Sequence, residues 1–123
     1  MSSYKVNIFF VRNPVFYTLT YKGTTMGNWN HNYYIYLLSN KYNSVIYTGM
    51  TNNLKKRIKQ HKSLQVPGFT SRYRITKLVY FEHFTFVKDA IGREKQIKAG
   101  SRDRKVALIE SINPNWEDLF DAL

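Results

Sequence analysis

The run Tyr33-Tyr34-Ile35-Tyr36-Leu37-Leu38 constrains this chain more than any other stretch. Aromatic and aliphatic side chains in unbroken succession suit an extended strand. The turn formers Ser39-Asn40-Lys41-Tyr42-Asn43-Ser44 come next, and then Val45-Ile46-Tyr47-Thr48 resumes the apolar pattern. Two such runs across a short turn read as a β-hairpin, with Gly49 ending the second strand. Thr51 or Asn52 is placed to cap a helix over residues 53–64. Pro67-Gly68 breaks the chain, a third strand covers 75–84, and Thr85 opens a helix that lasts to Ala99. Gly100 stops it, Ser101 caps another that ends before Asn113-Pro114, and residues 116–123 form a last short helix. The order β-β-α-β-α-α predicts an α/β (α+β) domain: a small antiparallel three-stranded sheet flanked by helices.

Residues 1–31 differ in character. They hold Lys5, Arg12 and Lys22 but no acidic residue, and residues 22–28 are rich in turn formers. Residues 8–21 have the pattern of one weak strand without an evident partner. We expect an N-terminal extension over 1–31, much of it poorly ordered, ahead of one compact domain over 32–123. Met26, just before the dense part of the sequence, is an expected alternative start that N-terminal sequencing would reveal.

Nineteen Lys and Arg against 8 Asp and Glu give a formal net charge of +11 in 123 residues. Such an excess favours a polyanionic partner, DNA or RNA, over a surface that serves solubility alone. Apolar residues make up 43%, enough for a core, which excludes a wholly disordered chain. With no cysteine, disulfide scaffolds, Cys-ligated zinc, iron–sulfur clusters and thiol nucleophiles are all excluded. No run approaches the roughly 20 apolar residues of a membrane span. The leader-like segment 5–16 is cut by Arg12, Asn13 and Pro14. The expectation is a soluble, cytoplasmic protein.

Two helices carry polar residues where apolar ones belong. Over residues 53–64, Leu54 and Ile58 define the apolar stripe, while Lys55, Lys56, Lys59 and Lys62 fall on the far side. Arg57 and His61, four residues apart, stand one above the other along the edge of the stripe. Either Arg57 snorkels over a satisfied His61, or the pair is aimed at a site on the sheet. In the helix over 86–99, Glu94 lies close to the centre of the face made by Val87, Ala90, Ile91 and Ile97. A carboxylate there must be protonated, paired with Arg57 or a lysine, or bound to a cation. A lone carboxylate with oxygen chemistry suits Mg²⁺ or Mn²⁺ better than zinc. Tyr36 and Tyr47 can share one face of the hairpin, although strand tyrosines usually serve packing. His31 and His83 have no partner at ligand spacing. Nothing resembles a phosphate loop, H-E-x-x-H or G-x-S-x-G.

Together these residues resemble the GIY-YIG nuclease superfamily, particularly its small single-domain bacterial members. Tyr34-Ile35-Tyr36 stands for the first motif and Tyr47-Thr48-Gly49 for the second. Arg57 and His61 in R-x-x-x-H spacing and the later Glu94 complete the ordered set, over about residues 32–120. Tyr34 replaces the first glycine and Thr48 the isoleucine, both main-chain or packing positions. The resemblance implies metal-assisted phosphodiester hydrolysis of nucleic acid, DNA before RNA. Glu94 would hold one divalent cation, Mg²⁺ or Mn²⁺. Tyr36 would activate water, with Tyr47 beside it, Arg57 neutralising phosphoryl charge and His61 bonding the phosphate or Tyr36. A late family asparagine maps only loosely onto Asn113. Lys55, Lys56, Lys59, Lys62, Arg72, Arg74, Arg102, Arg104 and Lys105 would contact backbone phosphates without reading sequence. The expected specificity is weak, or for structured or single-stranded DNA. The alternatives are a nucleic-acid-binding module of the same fold with little or no cleavage, and a structural domain with a basic surface.

Overall fold

The computed structural model describes residues 17–21, 24–29 and 32–123. Strand β1 (Tyr17–Tyr21) pairs antiparallel with β2 (Thr24–Trp29), Tyr17 opposite Trp29 and Tyr21 opposite Thr24. The strand expected here thus has a partner, in a stretch whose turn formers include two strand-favouring threonines, Thr24 and Thr25. What the sequence suggested for residues 1–16, 22–23 and 30–31 lies outside the described residues.

From Asn32 onward the fold is the expected one. A three-stranded antiparallel sheet has the order β4-β3-β5, built from β3 (Tyr33–Ser39), β4 (Ile46–Thr51) and β5 (Lys77–Phe84). Helices cover both of its faces. Ile35 and Leu37 point to one side and pack with Ala90 and Ile97 of α3 (Val87–Ala99) and Ile109 of α4 (Arg102–Glu110). Tyr36 and Leu38 point to the other and pack with Leu54 and Ile58 of α1 (Leu54–Lys62) and with Leu119 and Phe120 of a closing 3-10 turn (Leu119–Ala122). The central strand is therefore buried on both faces, which is why it reads as an unbroken apolar run instead of an alternation. Burying each large side chain of these layers contributes on the order of 1.5–3 kcal/mol before entropy is counted.

The helix boundaries show where local chemistry decided. Asn53 caps α1, its side chain accepting the Lys56 N–H at 3.2 Å. The Thr51 hydroxyl supports that cap by accepting the Asn53 N–H at 3.1 Å. The cap falls after the expected Thr51 or Asn52 because β4 does not end at Gly49 but runs on to Thr51. A short helix absent from the sequence reading, α2 (Phe69–Arg72), comes after Gly68, whose φ of 98° suits glycine. At four residues it is too short to show a 3.6-residue period. Ser101 caps α4 as expected, accepting the Arg104 N–H at 3.2 Å. The last helix is reduced to the 3-10 turn. Trp116 takes a positive φ of 53°, and Asp118 caps the turn by accepting the Phe120 N–H at 3.0 Å. Among the described residues, no helix is long and apolar enough to cross a membrane.

Candidate active site

The hairpin register decides which side chains meet. Tyr36 pairs with Gly49, and Leu38 pairs with Tyr47. Since residues two apart share a face, both tyrosines project toward α1. Their rings lie 6.3 Å apart, and each also faces His61, at 5.6 Å for Tyr36 and 5.8 Å for Tyr47. His61 comes from the last turn of α1, on the same stripe as Leu54 and Ile58, and is 1% exposed. It lies within the buried stripe, not merely at its edge.

Gly49 makes this packing possible. A Cβ at that position would lie 2.4 Å from Cζ of Tyr36 and 2.5 Å from its hydroxyl oxygen. Glycine inside a strand often marks such a close approach, and this one, within β4 and not at its end, leaves room for the Tyr36 ring. Gly49→Ala is expected to destabilise the fold by about 1–3 kcal/mol, the usual cost of overpacking, and to displace the Tyr36 ring. Urea unfolding measures the first effect. A loss below about 0.5 kcal/mol, the scale of a neutral surface change, would remove Gly49 from the site.

Polar contacts then organise the cluster. The Tyr36 hydroxyl lies 2.9 Å from Nε2 of His61, and Nδ1 of His61 lies 3.2 Å from the Thr70 hydroxyl on α2. Burial and the neighbouring Arg57 charge lower the imidazole pKa from 6.5 to about 4, so His61 is neutral at pH 7. Burial raises the Tyr36 phenol above its ordinary 10.0. Arg57 pulls it down through hydrogen bonding and charge, while Tyr47 and Glu94 push it up. Arg57 favours the phenolate as the sequence suggested, but burial outweighs it, and the resting group is a neutral phenol. Arg57 is half-buried, and its Nη1 donates to Gln60 at 3.3 Å. Beside it opens a polar cavity of about 300 Å³, lined by Thr51, Asn53, Lys56 and Gln60 among others.

Glu94 is also half-buried, 21% exposed, on the stripe between Ala90 and Ile97. Its carboxylate meets Lys98 at 3.3 Å, one turn on, and that lysine is 54% exposed. The pair is a solvated surface contact, not the buried ion pair that the sequence left open. The Glu94 charge is the weakest of the influences on the Tyr36 phenol, raising it. Among the described residues no group of three or more His, Cys, Asp or Glu could hold a metal. A single half-buried carboxylate such as Glu94 would suit a hard cation that completes its shell with water and phosphate oxygen.

The remaining candidates are dispersed. Asn113 is 5% exposed and spends both amide N–H groups on main-chain carbonyls, Val79 at 3.0 Å and Glu117 at 2.9 Å, which fastens the C-terminal turn to β5. The nine basic residues do not form one surface. Those of α1 lie on one side of the sheet, while Arg102, Arg104 and Lys105 start α4 on the other. Three are engaged within the fold. Lys62 binds Asp118 and the Thr76 carbonyl, Arg102 binds the carbonyls of Asn43 and Ser44, and Lys105 binds that of Gly100. Lys55, Lys56, Lys59, Arg72, Arg74 and Arg104 are exposed. A cleft of about 580 Å³ adjoins the end of α1, bordered by Lys41, Tyr42, Lys62, Tyr73, Arg74 and Lys77 among others.

Sequence reasoning missed a buried ion pair. Glu82 of β5 is 1% exposed and accepts from Nε and Nη2 of Arg93, at 2.9 and 2.8 Å, and from the Tyr80 hydroxyl. It ties β5 to α3 one residue before Glu94. Glu82 sits in a strand buried along nearly its whole length, so no alternation flagged it.

One sheet face thus gathers two phenols and an imidazole, and the Arg57 and Glu94 charges both bear on the Tyr36 phenol. The GIY-YIG catalytic domain matches residues 32–107, and the chain belongs to this family. It is similar to the UPF0213 protein CPE1444 of Clostridium perfringens, 45% identical over 78 residues that span 63% of this chain and 83% of that protein. It is 38% identical to the UPF0213 protein SH2523 of Staphylococcus haemolyticus, over 63% of this chain and 94% of that one. The solution structure of the UPF0213 protein BH0048 from Bacillus halodurans aligns with a TM-score of 0.47 and 31% identity, covering 71% of this chain and 92% of that one.

Proposed function

We propose that the domain over residues 32–123 is a divalent-metal-dependent endonuclease that hydrolyses DNA phosphodiester bonds. The observation that carries this reading is the convergence of Tyr36, Tyr47 and His61 on one sheet face, with Arg57 and Glu94 both acting on the Tyr36 phenol. A cation held by Glu94, Mg²⁺ or Mn²⁺, would supply positive charge to the phosphoryl oxygens and the departing 3′-oxygen. Tyr36 takes a proton from the attacking water as it gives its own to Nε2 of His61. The water oxygen bonds to phosphorus, the bond to the 3′-oxygen breaks with its electron pair, and that oxygen takes a proton from solvent to leave as a hydroxyl. The proton's stay on His61 is transient, because an imidazole with a pKa of about 4 gives it up readily at neutral pH. Tyr47 orients the water or the phosphate. Arg57, beside its polar cavity, meets the charge that builds on phosphorus. The exposed lysines of α1 and the pair Arg72 and Arg74 hold the DNA backbone.

A second reading has one observation in its favour. The resting Tyr36 phenol is raised, not lowered, which fits a nucleic-acid-binding module that cuts little. Supercoiled plasmid and single-stranded oligonucleotides incubated with Mg²⁺, Mn²⁺ or EDTA separate the two. Metal-dependent nicking that EDTA abolishes is expected. Salt-sensitive binding with no cleavage under any metal would establish the binding module instead.

A further inference from the structure

We propose that Thr70 is the positioning residue that fixes the tautomer of His61, so that Tyr36, His61 and Thr70 form one buried hydrogen-bonded relay. The inference rests on the nuclease reading for its catalytic consequence but not for its geometry. Both ring nitrogens of His61 are engaged, Nε2 by the Tyr36 hydroxyl at 2.9 Å and Nδ1 by the Thr70 hydroxyl at 3.2 Å. His61 is 1% exposed and Thr70 3%, so solvent is poorly placed to substitute for the Thr70 contact.

A neutral imidazole has one N–H and one lone pair, and their assignment decides what the ring can do. With the proton on Nδ1, the N–H donates to Thr70 and the Nε2 lone pair faces the Tyr36 hydroxyl. The phenol then has an acceptor for the proton it must lose. With the proton on Nε2, the same hydroxyl faces an N–H and has no acceptor in the ring. Buried in the neutral state, the phenol keeps its proton to donate, and this selects the first arrangement. A threonine hydroxyl can serve either state of the ring, so the Tyr36 proton makes the choice and Thr70 secures it by accepting the Nδ1–H, which buried without an acceptor is strongly disfavoured.

The fold holds Thr70 firmly in place. Gly68 turns the chain into α2 with φ of 98°, and the Thr70 carbonyl accepts the Ile75 N–H at 2.9 Å, closing the segment back on itself. This gives the short helix a purpose that its sequence does not reveal. A neutral hydroxyl here occupies the place that a carboxylate takes behind the histidine of a serine hydrolase. A neutral orienter does not offset the burial and the Arg57 charge that keep the imidazole weakly basic, as suits a group that returns its proton at once.

The ¹⁵N chemical shifts of His61 report the tautomer directly and need no cleavage. Wild-type protein is expected to show the Nδ1–H form, and Thr70→Ser to retain it. Thr70→Val, nearly isosteric, should shift the ring toward Nε2–H. In plasmid nicking, Thr70→Val should lower kcat about 10–100-fold, the usual cost of losing a partner that orients a functional imidazole. KM for DNA should change less than twofold, and Thr70→Ser should recover most of kcat. An Nε2–H tautomer in the wild type, or an unchanged tautomer in Thr70→Val, overturns the proposal. A changed tautomer with wild-type kcat overturns its catalytic half. If Thr70→Val does not fold, the wild-type and Thr70→Ser spectra still decide the tautomer. A wild-type protein that never cuts DNA defeats the nuclease reading and leaves the tautomer test standing.

Discussion

Arg93→Met is expected to remove about 3–5 kcal/mol of folding stability, the range for breaking a buried ion pair from one side. The variant keeps the length of the side chain and deletes its charge. Glu82, 1% exposed, would be left as a carboxylate with the Tyr80 hydroxyl and no cation. Tyr80 gives no relief by ionising, since burial and the Glu82 charge push its phenol well up. Against a total of about 5–15 kcal/mol for a domain of this size, the loss should be visible as a large fall in the urea midpoint. The double variant Glu82→Leu with Arg93→Met tests the cause. Replacing the whole pair by apolar groups removes the uncompensated charge and should recover most of the loss. A single variant within 1 kcal/mol of wild type would mean that water or another group already serves Glu82. The clamp also bears on the site, because it locks the rotation of α3 one residue before Glu94.

That contact illustrates what the sequence withholds. Period-based reading places a side chain on a face only where one face is wet. β3 and β5 are covered on both sides, so Glu82 and Tyr80 looked like any other residues of an apolar run. The hairpin, the flanking helices and the shared face of Tyr36 and Tyr47 were legible, because strand alternation and helix caps are local signals. Arg57, His61 and Glu94 were legible for the opposite reason: each sits against its own helix's apolar stripe, and that misplacement asks for a partner. Thr70 gave no such signal. Its importance comes from a nine-residue separation bridged by a tight turn at Gly68, and a buried threonine has no distinctive pattern. Gly49 carries a signal with two meanings. A glycine between Thr48 and Met50 looked like the end of a strand, when the Tyr36 ring across the ladder required the missing side chain.

Arg57→Ala is expected to lower kcat/KM for metal-dependent DNA cleavage about 10²–10³-fold, the usual loss for a preorganised donor aimed at developing charge. The guanidinium has three effects that a smaller side chain forfeits together. It borders the polar cavity where a phosphate would enter, it pulls the Tyr36 phenol down against the effect of burial, and it lowers His61. Removing it therefore makes Tyr36 harder to deprotonate and His61 easier to protonate. The sign is testable apart from cleavage: the His61 titration followed by NMR should move up from about 4 toward its ordinary 6.5, though burial will hold it below that value. Arg57→Lys should not restore the rate, since a point charge cannot reproduce a planar donor that spans phenol and phosphate. Glu94→Gln, which keeps size and removes charge, should lose cleavage to a similar degree without moving the His61 titration as far. If both act on one transition state, the double variant will be little worse than either single one. DNA binding in EDTA should survive in all of them, because Lys55, Lys56 and Lys59 remain exposed. An Arg57→Ala protein that cuts within threefold of wild type would leave the cluster as packing around a buried histidine.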